Sequence, residues 1–210
     1  PLMDYPASRL QSHLGMPQAI VLGLVQQACT SMLGSIRVAC GLLATEIDFN
    51  NILCITSDRF PLGAKYEQAY NLISDGAACC IISREQKGFR ILASHHITNG
   101  SAVQANDEET AAVYFTYMNR IVNEILEKVK ITIDDLDWII PQNINQKAWQ
   151  ILSRILKIDL DRVFAEPMSE VAHCISGDNI INLKHLNDSQ RIKQGQRLLC
   201  LMAGYGLNWQ

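Results

Sequence analysis

The stretch AIVLGLVQQACTSMLGSIRVACGLLATE, residues 19–46, holds the reading of the fold. Its first seven residues, AIVLGLV, form a continuously apolar, strand-sized run, as in a strand buried on both faces. After Gln26 and Gln27 the period changes. Met32, Ile36, Ala39, Cys40 and Leu43 recur at helical spacing. A strand that turns sharply into a helix holds one side chain out at the end of a sheet, and here that side chain is Cys29. A helix N-terminus stabilises a thiolate and lowers the pKa of a cysteine, and thiolates attack acyl groups well. The spacing alone also allows Cys29 to be one more buried cysteine, as Cys40 is expected to be.

The same alternation continues along the chain. NILCITSD (51–58) and AACCIIS (77–83) read as further buried strands, the second entered through the turn-like SDG. FRILASHHI (89–97) reads as a fourth strand, on an edge. Residues 107–129 form the clearest helix. Asp107, Glu108 and Glu109 stand at its positive end, and one apolar face runs from Ala111 through Tyr114, Phe115, Met118, Ile121, Val122 and Ile125 to Val129. DDLDWIIPQNIN (134–145) follows as strand and loop, QKAWQILSRILK (146–157) as a helix, NIINLKHL (179–186) as a helix, and RLLCLMAG (197–204) as the last strong strand. The pattern predicts an α/β fold whose sheets are covered by helices. It also predicts two similar halves that meet near residue 103.

Composition limits the function. Apolar residues make up 48% and charged residues 19% of the 210, which suits a chain with a substantial core. The net charge of −3 offers no basic stripe for nucleic acid. No apolar run approaches the roughly 18 residues of a spanning helix, and no charged-then-apolar leader opens the sequence, so no membrane partner is expected. Seven cysteines, an odd number, contain no CxxC pair. This points to a reducing, cytoplasmic setting and to no metal site.

VAHCISGD (171–178) sets a histidine, a cysteine and an acid within six positions. His173 reads as a general base or a satisfied core histidine. Asp178 reads as the partner of that base, or it and Ser176 as caps of the following helix.

The motifs YPASRLQSHLGM, QQACTSMLGSI, ILCITSD, SDGAACCIIS, LDWIIPQNIN and GQRLLCLMAGYGLNW, in that order, resemble the ketoacyl-acyl-carrier-protein synthase III group. The resemblance covers nearly the whole chain. It implies a thiolase-like fold layered α-β-α-β-α, with residues 1–102 and 103–210 as its two pseudo-repeated halves. It implies that Cys29 carries an acyl group. It also implies a longer complete protein, with a strand-helix-strand section ahead of Pro1 and a final strand running past Gln210.

Two positions depart from the family pattern. Condensing members use a histidine in a Pro-His-x-x-Asn motif and an asparagine in a His-Gly-Asn motif. Here the first motif reads PQNIN, with Gln142 in place of the histidine and Asn145 kept. Gln142 can donate a hydrogen bond but cannot shuttle a proton. At the second motif stands His173 or Cys174. Some members transfer acyl groups with a Cys-His-Asp arrangement whose histidine and acid come from this loop, and the spacing of His173 and Asp178 fits it. Cys174 is then a packing neighbour. The resemblance also points to the backbone N–H of Cys29 and of Gly206 as an oxyanion hole, to Gln142 and Asn145 as groups polarising the substrate, and to Lys147 as a docking position for an acidic carrier protein. An exposed helix lysine is the alternative there.

The expected function is acyl transfer from coenzyme A or a carrier-protein phosphopantetheine thioester, through Cys29, to an acceptor nucleophile. No permanent cofactor is expected, and a homodimer or a heterodimer with a related chain is. The alternatives are decarboxylative condensation and a non-catalytic partner subunit.

Overall fold

The computed structural model describes residues 5–67, 70–104, 107–204 and 207–210, with the side chains of 104, 107 and 108 left aside. A short helix, α1 (Pro6–His13), opens with a proline at its first position, where the missing N–H costs nothing. The run 19–25 follows. It is not a strand: it carries no ladder, and Ile20, Leu22 and Val25 are exposed. A continuously apolar run becomes a buried strand only when neighbouring edges satisfy its backbone and cover its faces. No described segment does either for this run.

Helix α2 (Ser31–Thr45) keeps its predicted face, burying Met32, Ala39 and Leu43. Together with the turn before it, Ala28–Thr45 has a mean hydropathy of 1.3 over 18 residues, long and apolar enough to cross a membrane, contrary to the sequence expectation. Its inner face packs instead with Cys54, Ile52, Cys80 and Ile82 of the sheet beneath, as a core helix does.

That sheet is a hairpin-like antiparallel pair, β1 (Asn51–Asp58) and β2 (Gly76–Ser83), in register from Asn51 opposite Ser83 to Asp58 opposite Gly76. Only its inner face is covered. Ile55 and Ile81 on the other face are exposed, so the expectation of strands buried on both sides fails here. The predicted strand over 89–97 shrinks to β3 (Ile97–Thr98), with Phe89, Ile91 and Leu92 exposed ahead of it.

Helix α3 (Asp107–Val129) buries Met118, Ile121 and Val122 of the predicted stripe, and also Leu126, which that stripe did not include, while Ile125 is only partly buried. Strand β4 (Trp138–Ile140) leads through PQNIN into α4 (Gln146–Leu156), which buries Trp149, Leu152 and Leu156 against α3. After the short helix α5 (Met168–Val171) comes the HCISGD loop and then α6 (Asp178–Asp188). Strand β5 (Leu198–Cys200) pairs parallel with β4. Strand β6 (Ala203–Gly204) and β7 (Asn208–Trp209) close the chain, with β7 between β3 and β6. The main core lies between α3, α4 and strands β5 to β7. The HCISGD loop sits where it meets the α2 hairpin layer.

Candidate active site

Cys29 stands in a single 3-10 turn, Ala28–Thr30, immediately ahead of α2. The turn is sharp. Gln26 and Ala28 both take positive φ, 66° and 47°, a region that non-glycine residues rarely adopt. Local hydrogen bonds hold it. The N–H and hydroxyl of Thr30 both donate to the Gln27 carbonyl, at 3.0 and 2.7 Å, and the Ser31 hydroxyl donates to the Ala28 carbonyl at 2.7 Å. Gly204 of β6 presses on the turn so closely that a Cβ there would stand 2.6 Å from the Gln27 carbonyl oxygen and 3.3 Å from the Cys29 nitrogen. Glycine at 204 is therefore a condition of this approach.

His173 comes to the turn from the other layer. Its N–H donates to the Leu72 carbonyl at 2.9 Å and its own carbonyl accepts from Ser74 N–H at 3.0 Å, a one-residue parallel bridge centred on Ile73. The Ser74 hydroxyl also donates to the Val171 carbonyl at 2.5 Å. So pinned, the ring lies 2% exposed with Nε2 3.3 Å from Cys29 Sγ. Nδ1 is 2.6 Å from Asp178 Oδ2. With Nδ1–H donating to the carboxylate, Nε2 is the atom that exchanges a proton with the thiol.

Asp178 is wholly buried. Besides the imidazole, Oδ2 accepts the Asn143 N–H at 2.7 Å and Oδ1 accepts the Cys174 N–H at 2.7 Å. These bonds fix the carboxylate from two sides and offset the cost of burying it. The helix-cap alternative is not what the residue does. The N-cap of α6 is Gly177, with no side-chain cap bond, and the Ser176 hydroxyl turns to β1. Burial works against a charge on His173. The hydrogen bonds and charges of Asp178 and Cys29 outweigh it, and the imidazole is raised from its ordinary 6.5 to about 10.

The remaining expected residues divide. Gln142 does not reach out to polarise a substrate. Its amide oxygen accepts Ala203 N–H at 3.2 Å and its NH2 donates to Ala203 O at 2.9 Å, while its own carbonyl accepts the Trp149 indole N–H at 2.8 Å. It acts as a backbone-like splint between the end of β4 and β6. Asn145 is likewise committed. Its oxygen accepts the Ala148 N–H as the N-cap of α4, and its NH2 donates to the Tyr70 carbonyl, each at 2.7 Å. Lys147 is exposed on the first turn of α4. Gly206 lies outside the described residues. Cys174 is buried, its thiol against the Ser74 hydroxyl at 3.0 Å, and burial pushes it up and away from reactivity. Among the described residues no group of His, Cys, Asp and Glu is placed to hold a metal ion.

The polar supports were not visible in the sequence. Asn179 donates to the carbonyls of Ile140, Pro141 and Leu201, and Asn182 to Pro141 and to the Asn143 side chain. Asp178, Asn179, Asn182 and Leu186 make the buried face of α6. The helix over 179–186 was legible, but a hydrophobic-period search does not single out an inner face that is mostly polar.

Two family models match the chain: 3-oxoacyl-[acyl-carrier-protein] synthase III over residues 25–100, and its C-terminal part over 126–210. The chain is 24% identical to the beta-ketoacyl-[acyl-carrier-protein] synthase III of Chlamydia caviae, over 97% of this chain and 68% of that protein. Among solved structures it superposes on the acyltransferase ChlB3 with a TM-score of 0.87 at 20% identity, covering 100% of this chain and 71% of that one. It superposes on the 3-oxoacyl-[acyl-carrier-protein] synthase III of Aquifex aeolicus with a TM-score of 0.85 at 20% identity, covering 100% and 72%. At these identities the superpositions show a shared fold.

Proposed function

The chain belongs to the 3-oxoacyl-[acyl-carrier-protein] synthase III family, with its thiolase-like fold, and on that premise we propose that it is an acyltransferase working through Cys29, His173 and Asp178. One observation carries the reading: the unbroken line from Cys29 Sγ through His173 to Asp178, at 3.3 and 2.6 Å.

In this reading the resting pair is a thiolate beside an imidazolium. The thiolate attacks the carbonyl of an acyl-coenzyme A or acyl-carrier-protein thioester. The tetrahedral intermediate collapses by breaking the old C–S bond, and His173 Nε2–H protonates the departing thiolate to a thiol. Acylation removes the negative charge that helped raise His173, so the imidazole is left neutral and free to accept a proton. Its Nε2 takes the proton of an oxygen, nitrogen or carbon acceptor, which attacks the acyl-Cys29 carbonyl. The intermediate then expels the thiolate beside a renewed imidazolium. Asp178 holds the tautomer and balances the charge throughout. The N–H groups of Cys29 and Gly206 are the proposed oxyanion donors, and Lys147 the proposed contact for a carrier protein.

The names of the relatives favour a second reading, decarboxylative condensation. Against it stands Gln142, whose amide is bound to Ala203 at both ends and has no proton to shuttle.

The test is intact-mass analysis of the protein and its Cys29→Ala and His173→Ala variants after incubation with a panel of acyl thioesters. The expected result is an acyl adduct on the native chain and none on Cys29→Ala. His173→Ala should acylate slowly and transfer at least a hundredfold more slowly. The absence of an adduct on native Cys29 at every chain length would sink the acyltransferase reading. Carbon dioxide released from a malonyl thioester would establish condensation instead.

A further inference from the structure

The turn that separates His173 from Asp178 carries strained backbone. It is a 3-10 turn, Ile175–Gly177, closed by Gly177 N–H to the Cys174 carbonyl at 2.9 Å. Ile175 takes φ 49°, a conformation that a β-branched residue adopts only under outside restraint. Residue 172, just ahead of His173, also has positive φ. Besides the bonds that Asp178 makes to the His173 ring and the Cys174 N–H, the strained turn needs a restraint from beyond the loop.

The end of β1 supplies it. The Ser176 hydroxyl, 3% exposed, meets the Thr56 hydroxyl in a short hydrogen bond and lies 3.3 Å from Asp58 Oδ2. Thr56 Oγ1 lies 3.2 Å from the same oxygen. Two hydroxyl protons and one carboxylate oxygen allow two arrangements. Either Ser176 donates to Asp58 while Thr56 donates to Ser176, or the reverse. In both, each hydroxyl is bonded and the carboxylate terminates the chain. Opposite Asp58 on β2, Gly76 completes the seat, since a Cβ there would stand 2.7 Å from the Cys174 Cβ. The ionisable groups gathered on this turn are Asp58 from β1, Cys29 from the turn ahead of α2, and His173, Cys174 and Asp178 of the loop itself.

We propose that Thr56, Ser176 and Asp58 form a positioning clamp that sets the His173–Asp178 pair against Cys29. The three act through the loop and touch no substrate. The clamp joins the β1–β2 sheet to the loop that carries the base. It rests on the reading of Cys29 and His173 as a nucleophile–base pair, and its test uses no acyl donor.

The experiment is the pH dependence of Cys29 alkylation by iodoacetamide, followed by peptide mapping, beside thermal melting of each variant. In the native protein the alkylation midpoint should lie well below the roughly 8.5 of a free cysteine. In Thr56→Val, Ser176→Ala and Asp58→Asn the midpoint should move up by about one pH unit, about a tenfold slower reaction below it. Thr56→Ser, which keeps the hydroxyl, should stay native. If Ser176→Ala fails to fold, the near-isosteric Thr56→Val decides. A native midpoint below that of a free thiol with Thr56→Val unchanged, even at a lower melting temperature, would reduce these residues to ordinary packing and overturn the clamp alone. A native midpoint like that of a free thiol would overturn the nucleophile–base reading, and the clamp with it.

Discussion

Ala172 sits at φ 55°, ψ −156°, a backbone region that is essentially reserved for glycine. The carbonyl-and-amide bridge from Leu72 and Ser74 to the next residue, His173, holds it there. Strain of this kind costs about 1–3 kcal/mol and persists where the surroundings over-determine the geometry. Glycine would adopt the same conformation without a Cβ penalty but would gain freedom in the unfolded chain. The expected outcome for Ala172→Gly is a net stabilisation of about 1 kcal/mol, seen as a higher urea midpoint with an unchanged slope. An unchanged or lower midpoint would mean that Ala172 is not strained. At this scale the sequence displayed the candidates, Cys29, His173 and Asp178, because their chemistry is in their side chains. It could not show that the Gln142 and Asn145 amide NH2 groups were already committed, because their partners, Ala203 O and Tyr70 O, are backbone atoms 61 and 75 positions away; only the cap of Asn145 on Ala148 N–H is local.

Among the elements, the contact between β6 and the Cys29 turn is the least forgiving. Gly204→Ala would place a methyl group 2.6 Å from a backbone carbonyl, with the Ala28 Cβ at 3.2 Å. Neither neighbour is the loose end of a side chain, so the turn or the strand must shift. The expected cost is about 1–3 kcal/mol of stability, together with at least a tenfold loss of acylation at Cys29, measured by single-turnover mass analysis at a temperature where the variant is folded. Acylation at the native rate would show that the turn tolerates the shift. Helices α3 and α4 were legible as helices because apolar residues recur along each at helical period, although in α4 the face turns so that Trp149 is buried and Ile151 and Ile155 are exposed. The runs 19–25 and 89–96 misled because apolarity reports a preference for burial and does not supply the edge or face that satisfies it.

Across the whole molecule, the buried pair ties stability to pH. His173 is raised from 6.5 to about 10 in the folded chain, so folding takes up its proton more tightly than the unfolded chain does. Its contribution is therefore fully present below about pH 6.5 and is lost as pH rises toward about 10. Urea titrations at pH 6, 8 and 10 should show the native chain losing stability across that window, and His173→Ala losing markedly less. Equal losses in both chains would place the titration elsewhere.

The sequence by itself determined the order of strands and helices over much of the chain, the helical face of α2, the placing of a cysteine just ahead of that helix, though not after a strand, and a histidine and an acid on one loop. These follow from local period and residue chemistry, which neighbours along the chain carry. Only the tertiary structure decided that Cys29 and His173, 144 positions apart, stand within 3.3 Å of each other, and that Asp178 serves the imidazole rather than its own helix. The same holds for the meeting of the Thr56 hydroxyl of β1 with the Ser176 hydroxyl of the loop. Those distances are set by the seating of one layer on the other, through Gly76 against Cys174 and Gly204 against Gln27. Such close approaches depend on the absence of a side chain at one position and the presence of a particular backbone atom far along the chain, a relation that no local pattern records.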